Sequence, residues 1–349
     1  MRSGSWHRAM HSMRRLPGFA SFVAVAALCC CQVLAQSEAI PRAVDANAPA
    51  AGPAPGLVPG TGVIVPPAVP GPPVIPAKTL FGAAKVAAPL APRAIGFYSR
   101  GCLAGGQKLA VDGPEWQAMR LSRNRNWGHP ALVSFLERFA SDARREGWPG
   151  LLIGDMSQPR GGPMLTGHAS HQVGLDADIW FTPMPNRRLT REEREDMSAI
   201  TMLAAGNLAV DPKTFSDVHM RLIKRASSFG EVERIFVHPA IKKALCEATA
   251  TDVDRVWLHK VRPMWGHDYH FHVRIGCPPG TIGCQAQPAP AVDDGCGKEL
   301  VEWFALLTAP PKPDGPPPPP LTMDKLPADC RAVLEAPRRL PAAAKKPGP

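Results

Sequence analysis

The chain has 349 residues, 41 of them proline, and a formal charge of +10 from 40 Lys and Arg against 30 Asp and Glu. So much proline, gathered toward the two ends, excludes one uniformly folded globule, while residues 96–304 keep an ordinary composition sufficient for one sizeable core. The positive balance points to an anionic partner. The tails inflate it through Arg338, Arg339, Lys345 and Lys346, and no aromatic-plus-basic motif for RNA or DNA appears, so nucleic acid is set aside.

Residues 1–35 read as a secretory signal. Arg2, Arg8, Arg14 and Arg15 form a basic start, residues 19–28 a short apolar run, and Val33, Leu34 and Ala35 a small-residue cleavage site. The run is too short for a comfortable membrane span, and no stable span is expected after cleavage. A retained anchor is the weaker alternative. Lipidation at Cys29, Cys30 or Cys31 is disfavoured by Leu28 immediately before them. For an exported chain, an anionic wall polymer or membrane surface is the fitting partner. Six cysteines remain after cleavage, namely Cys102, Cys246, Cys277, Cys284, Cys296 and Cys330, with no Cys-x-x-Cys pair among them. An even count in an exported protein favours disulfides over a thiolate metal site, and the spacing leaves all of about 15 pairings open.

Residues 36–95 read as a Pro/Ala/Gly/Val linker, extended and unstructured. The folded domain is expected over 96–308. A helical stripe of Leu132, Phe135, Leu136 and Phe139 predicts a helix over 131–146, and Leu151, Leu152 and Ile153 begin a short buried strand over 151–155. Helical propensity covers 192–208 and 219–228. A strand is expected over 233–237, a helix with Pro239 near its start over 239–246, and an alternating strand over 270–275. Strands and helices interleave without a regular βαβ repeat, which implies an α+β fold with a central antiparallel sheet. Residues 309–349 form a second Pro-rich tail, in which Cys330 is placed to tie it back to the domain.

Two short segments carry the chemistry. His168, His171 and Asp178 lie in one, and His267, His270 and His272 in the other, so that five of the 11 histidines fall in these two stretches. On a strand, residues two apart share a face, so His270 and His272 point one way while Phe271, Val273 and Ile275 point the other. Asp176 and Asp178 share a face by the same rule. A catalytic zinc takes three N/O ligands and an open position, with a base nearby to move a proton. Neither a helical His-Glu-x-x-His nor a Gly-x-Ser-x-Gly elbow occurs. The residues therefore support metal-assisted amide hydrolysis outside the cytoplasm. Arg160 is placed either to grip a substrate carboxylate or to make a structural ion pair, and Arg262 and Trp265 either to line the cleft or to pack a loop rim. His129 and His238, each before a proline, read as structural.

These segments resemble the penicillin-insensitive murein endopeptidases, zinc peptidases of the group that also holds lysostaphin-type enzymes, D-Ala-D-Ala peptidases and hedgehog N-domains. The wider signature, His-x6-Asp followed by His-x-His, is met by His171, Asp178, His270 and His272. The narrower likeness extends through Gly128-His-Pro, the glycine-rich run 154–162, Gly167-His-Ala-Ser-His-Gln172, Arg234-Ile-Phe-Val237, Val261-Arg-Pro263 and Asp294-Gly-Cys-Gly297. The resemblance implies a hedgehog/D-Ala-D-Ala-peptidase-like domain holding one zinc on His171, Asp178 and His272. It implies His270 as general base, with His267 beside the site. The family's second-metal Asp-x-x-His pair is missing from the connection around 206–210, so His168 is expected to shape its loop rather than to ligate. The pairings implied are Cys102–Cys330, Cys246–Cys296 and Cys277–Cys284. The activity implied is periplasmic hydrolysis of the D-alanyl to meso-diaminopimelyl cross-link of peptidoglycan, in cell-wall remodelling. A carboxypeptidase or dipeptidase on similar peptides, and a non-catalytic zinc-containing wall-binding module, are the rival readings. A homodimer is left open.

Overall fold

The alternation in His270–Ile275 places this segment at the centre of the fold. The computed structural model describes residues 74–249, 252–310, 315 and 318–337. The expected signal segment, residues 36–73 of the expected linker, and residues 338–349 of the tail lie outside the described residues. In chain order the first half runs α1 (Ala77–Gly82), β1 (Arg93–Phe97), β2 (Arg100–Ala104), β3 (Gln107–Lys108), β4 (Trp116–Ala118), β5 (Trp127–Gly128), α2 (Pro130–Arg145), β6 (Leu151–Ile153) and β7 (Asp176–Trp180). The second half runs α3 (Arg191–Asp196), α4 (Asp217–Ser227), β8 (Val232–Val237), α5 (Pro239–Ala248), α6 (Asp252–Arg255), β9 (Val261–Pro263), β10 (His270–Ile275), α7 (Lys298–Thr308) and α8 (Asp329–Glu335).

The main sheet has six strands in the order β4-β6-β7-β10-β8-β9. Its centre, β6-β7-β10-β8, is antiparallel as expected, but β4 pairs with β6 and β8 with β9 in parallel. The sheet is therefore mixed within an α+β fold. The reason is the connections: α2 lies between β4 and β6, and α5 between β8 and β9, and a helical crossover returns the chain in the same direction.

The register of β10 on β7 separates the two faces. Phe271 opposes Ile179 and Val273 opposes Ala177, all fully buried toward the core. Against them pack Leu132, Phe135, Leu136 and Phe139 of α2 and Leu222 and Ile223 of α4. Each such fully buried side chain contributes about 1.5–3 kcal/mol. The other face carries Asp176 opposite Arg274 and Asp178 opposite His272. Both His-Pro dipeptides start helices. His129 Nδ1 accepts the Ala131 N–H at 3.2 Å and His238 Nδ1 the Ala240 N–H at 3.1 Å, each with proline at the first helical position.

Two expected segments differ. The stretch 192–208 is helical only in α3, which a Thr190–Glu193 capping box starts and which ends at Asp196. Beyond it the Met202 N–H bonds the Asp268 carbonyl and the Met202 carbonyl accepts from Asp211, so tertiary pairing outcompetes helical propensity. The expected unstructured segment up to residue 95 contains α1, whose Ala77 and Phe81 are fully buried with Cys102, Leu326, Cys330 and Val333. Gly162, at φ +77°, makes room for this helix: a Cβ there would lie 2.2 Å from the Phe81 ring. Disulfides join Cys102 to Cys330, Cys246 to Cys296 and Cys277 to Cys284. Among the described residues no helix is long and apolar enough to cross a membrane.

Candidate metal centre

The polar face of the β7–β10 pair gathers the singled-out residues around one carboxylate. Asp178 Oδ1 lies 3.4 Å from His171 Nε2, 3.5 Å from His270 Nε2 and 3.3 Å from His272 Nδ1, and Asp178 Oδ2 lies 3.4 Å from His168 Nε2. All four distances exceed the 2.7–3.2 Å of a good N–H···O bond. The groups stand around a shared centre rather than bonded to one another. His171, Asp178, His270 and His272 are buried and His168 is half-buried. The ligand atoms of His168, His171 and Asp178 lie within 4.8 Å of one another. The His171 and His272 ring centroids are 4.5 Å apart.

The local chain explains these positions. His270 and His272 project together because they are two apart on β10, and Asp178 stands directly across from His272. His171 enters from the loop before β7 with φ +66°, a left-handed conformation uncommon for any residue but glycine. Its N–H donates to Asp176 Oδ2 at 3.0 Å. Asp176 Oδ1 lies 3.0 Å from His272 Nε2 and accepts from Arg274 Nε at 2.7 Å. His168 Nε2 is 3.0 Å from Asp155 Oδ2, an oxygen that also accepts from Arg125 at 2.8 Å and Arg123 at 3.0 Å.

Burial and charge oppose one another throughout. Burial favours protonated Asp178, but the neighbouring imidazoles, His270 foremost, hold its carboxyl well below the usual range. Burial likewise works against charge on Asp176, and Arg274 and His272 keep it ionised. Burial lowers His171 and His270. Burial also opposes charge on His168, yet its bond to Asp155 raises it on balance, as Asp176 raises His272. Burial, with His272 and His270 nearby, pushes half-buried His267 down to about 3.

Among the described residues, both ring nitrogens of His171, Asp178 Oδ1, His270 Nδ1 and His272 Nε2 are buried without hydrogen-bond partners. Such orphaned atoms are costly unless something else binds them, and a cation fits. All six cysteines of the domain are in disulfides, so the donor set is nitrogen and oxygen, which suits zinc.

Other singled-out residues fall apart from this centre or at its rim. The His267 ring lies 5.0 Å from that of His270, tilted by 44°, and donates from Nδ1 to the Trp265 carbonyl at 2.5 Å, which leaves Nε2 bare. Trp265 is 50% exposed and packs edge-on against Trp303 at 5.4 Å, on the rim. Arg262 bonds Glu299 and the Ala291 carbonyl, a structural tie. Arg160 does not face the site. It is buried and donates to the carbonyls of Val333, Leu334, Ala336 and Pro337 at the end of α8, and to that of Val86. These bonds serve the helix end, whose orphan carbonyls a guanidinium satisfies. Sequence reasoning assigned no role to Asp155, Asp176, Arg125 or Arg274. The one available signal was the shared face of Asp176 and Asp178, and the strand register that puts Arg274 opposite Asp176 is a tertiary fact.

The sequence model of the family described as penicillin-insensitive murein endopeptidase matches residues 94–335. The chain is 42% identical over 243 residues to the penicillin-insensitive murein endopeptidase of Klebsiella pneumoniae subsp. pneumoniae, covering 70% of this chain and 86% of that protein. It is 40% identical over 253 residues to the enzyme of that name from Pectobacterium atrosepticum (72% and 88% covered). To that of Haemophilus influenzae it is 42% identical over 252 residues (70% and 83% covered).

Proposed function

Because the chain belongs to the penicillin-insensitive murein endopeptidase family, we propose that it is a zinc-dependent endopeptidase acting in the periplasm on the D-alanyl to meso-diaminopimelyl cross-links of peptidoglycan. The observation that carries the metal chemistry is the ring of imidazoles around Asp178 with its orphaned buried nitrogens and oxygen. In this reading His171 Nε2, an Asp178 oxygen and His272 Nδ1 hold the ion. Zinc supplies Lewis acidity toward a peptide carbonyl and makes water a nucleophile at neutral pH.

The protein's own groups do the rest. His270 is buried beside Asp178 and kept neutral by that burial, so its ring can take a proton from the attacking water and return it to the leaving amine. His267, with Nδ1 committed to the Trp265 carbonyl, offers bare Nε2 as a second partner for water or substrate. His168, tied to Asp155, holds its loop against the site. Trp265 on the rim offers an exposed ring to the substrate. The signal segment expected from the sequence, and relatives named for acting on murein, support work outside the cytoplasm.

The test is digestion of purified cross-linked muropeptide dimers, with and without a zinc chelator. Dimers converted to monomers, blocked by chelator and restored by zinc, are expected. Intact dimers with terminal D-alanine removed would replace this reading with a carboxypeptidase. Intact dimers and intact termini, with zinc bound, would replace it with a wall-binding module.

A further inference from the structure

We propose that Asp176 is the positioning residue of this centre: a single buried carboxylate that fixes the backbone of His171 and the ring of His272 together, and so sets the affinity for the metal. The inference rests on the metal reading above. Asp176 and Asp178 share one face of β7 and are both buried, yet their surroundings differ. Asp178 Oδ1 is left without a hydrogen-bond partner among the described residues. Both oxygens of Asp176 are engaged. Oδ1 takes Arg274 Nε at 2.7 Å and stands 3.0 Å from His272 Nε2, and Oδ2 takes the His171 N–H at 3.0 Å and Arg274 Nη2 at 3.3 Å. With both oxygens bonded to Arg274 and one also to the His171 N–H, Asp176 is a supporting group and not a ligand.

Each contact acts on a different ligand. His171 sits at φ +66°, where a side chain other than glycine's is disfavoured, and the bond from its N–H to Asp176 holds that conformation. On His272, Nε2 stands 3.0 Å from Asp176 Oδ1 and Nδ1 stands 3.3 Å from Asp178 Oδ1, so the Asp176 carboxylate favours the tautomer that keeps the proton on Nε2 and leaves Nδ1 for the centre. Which imidazole nitrogen can ligate is decided by the bond that the other one makes.

The carboxylate is itself held. Arg274 lies directly across the strand pair, stacks on the Tyr98 ring at 4.0 Å and donates its remaining arm to Gln287 at 2.7 Å. The Tyr98 hydroxyl in turn donates to the Ile275 carbonyl at 2.9 Å. Asp176 therefore has no room to rotate away from either histidine, and its charge is balanced by Arg274 rather than added to the site.

The experiment measures the zinc dissociation constant of the metal-stripped protein by competition with a chromophoric chelator, alongside the thermal midpoint of the metal-free form. It compares the wild type, Asp176→Asn, and the double variant Asp176→Asn with Arg274→Gln, which also removes the buried cation left without its carboxylate. Asp176→Asn should bind zinc ~10–100-fold more weakly. The double variant should regain part of the metal-free midpoint while zinc binding stays weak, a separation that a merely structural role would not produce. Zinc held by a folded Asp176→Asn within about threefold of wild type, below that range, would overturn the role, as would a double variant that recovers both properties. Should neither variant fold, the wild type decides. Imidazole ¹⁵N spectra of the zinc form should show His272 protonated at Nε2 and ligating through Nδ1, and the opposite assignment overturns the proposal. A wild type that binds no zinc overturns the metal reading and this role with it, whereas equal binding by wild type and variant overturns this role alone.

Discussion

Replacing Arg160 by methionine separates a guanidinium that closes a helix from one that grips substrate. The side chain is buried and donates to carbonyls of Val333, Leu334, Ala336 and Pro337 at 2.7–3.3 Å, and to Val86 at 3.2 Å. A hydrogen bond from a charged donor is worth about 1.5–3 kcal/mol net. These bonds share one group, so their losses overlap, and methionine preserves much of the aliphatic packing. The expected loss is about 3 kcal/mol. For a domain of this size, each kcal/mol shifts the melting midpoint by roughly 2–4 °C, so a fall of about 6–12 °C is expected. Because Cys330 still tethers α8 to Cys102, the damage should begin at the C-terminal end, as faster amide exchange over residues 329–337. Muropeptide turnover at 25 °C should stay within about twofold of wild type, since the five carbonyls that Arg160 donates to lie outside the metal centre. A tenfold fall in kcat/KM, about 1.4 kcal/mol, with an unchanged midpoint would refute this reasoning and restore Arg160 to the substrate.

Three further outcomes are expected. His270→Ala should lower kcat by ~10²–10⁴-fold while zinc stays bound at wild-type stoichiometry; hydrolysis at the wild-type rate would remove His270 from the base role. Replacing Cys102 and Cys330 by serine should destabilise the fold by about 2–5 kcal/mol in urea unfolding, since the bond closes a loop of sequence separation 228, and an unchanged midpoint would show that packing alone holds the tail. Lys242 is fully buried, with its ammonium on the Leu258 and Asp294 carbonyls, and burial pushes it down to about 7 from 10.5. Between those values the unfolded chain binds the extra proton, so stability should rise with pH from about 7 toward 10.5. Below about 7 the fold carries the full cost of the desolvated ammonium. The slope should shrink in Lys242→Met relative to wild type, and identical slopes would show that the lysine does not titrate in this window.

Sequence alone determined the features that depend on neighbours along the chain. Period-2 alternation placed His270 and His272 on one face of β10, and the stripe from Leu132 to Phe139 located α2, because a strand or helix repeats its geometry over a few residues. The motif residues His171, Asp178, His270 and His272 were legible as a set, and the fold does bring them around one point. What remained hidden depended on partners far away in sequence. Arg160 read as a candidate for substrate because four of its carbonyl partners lie more than 170 residues on, and α1 read as linker because Phe81 is buried among groups distant in sequence, Cys102, Gly162 and the α8 segment. The helical propensity of 192–208 lost to bonds with the loop before β10. Asp176 and Asp178 are chemically identical and two residues apart, and in sequence only the His-x6-Asp spacing of the resemblance separates them. Strand register sets Arg274 against one and His272 against the other, leaving the first carboxylate saturated and the second open at the centre of the imidazoles.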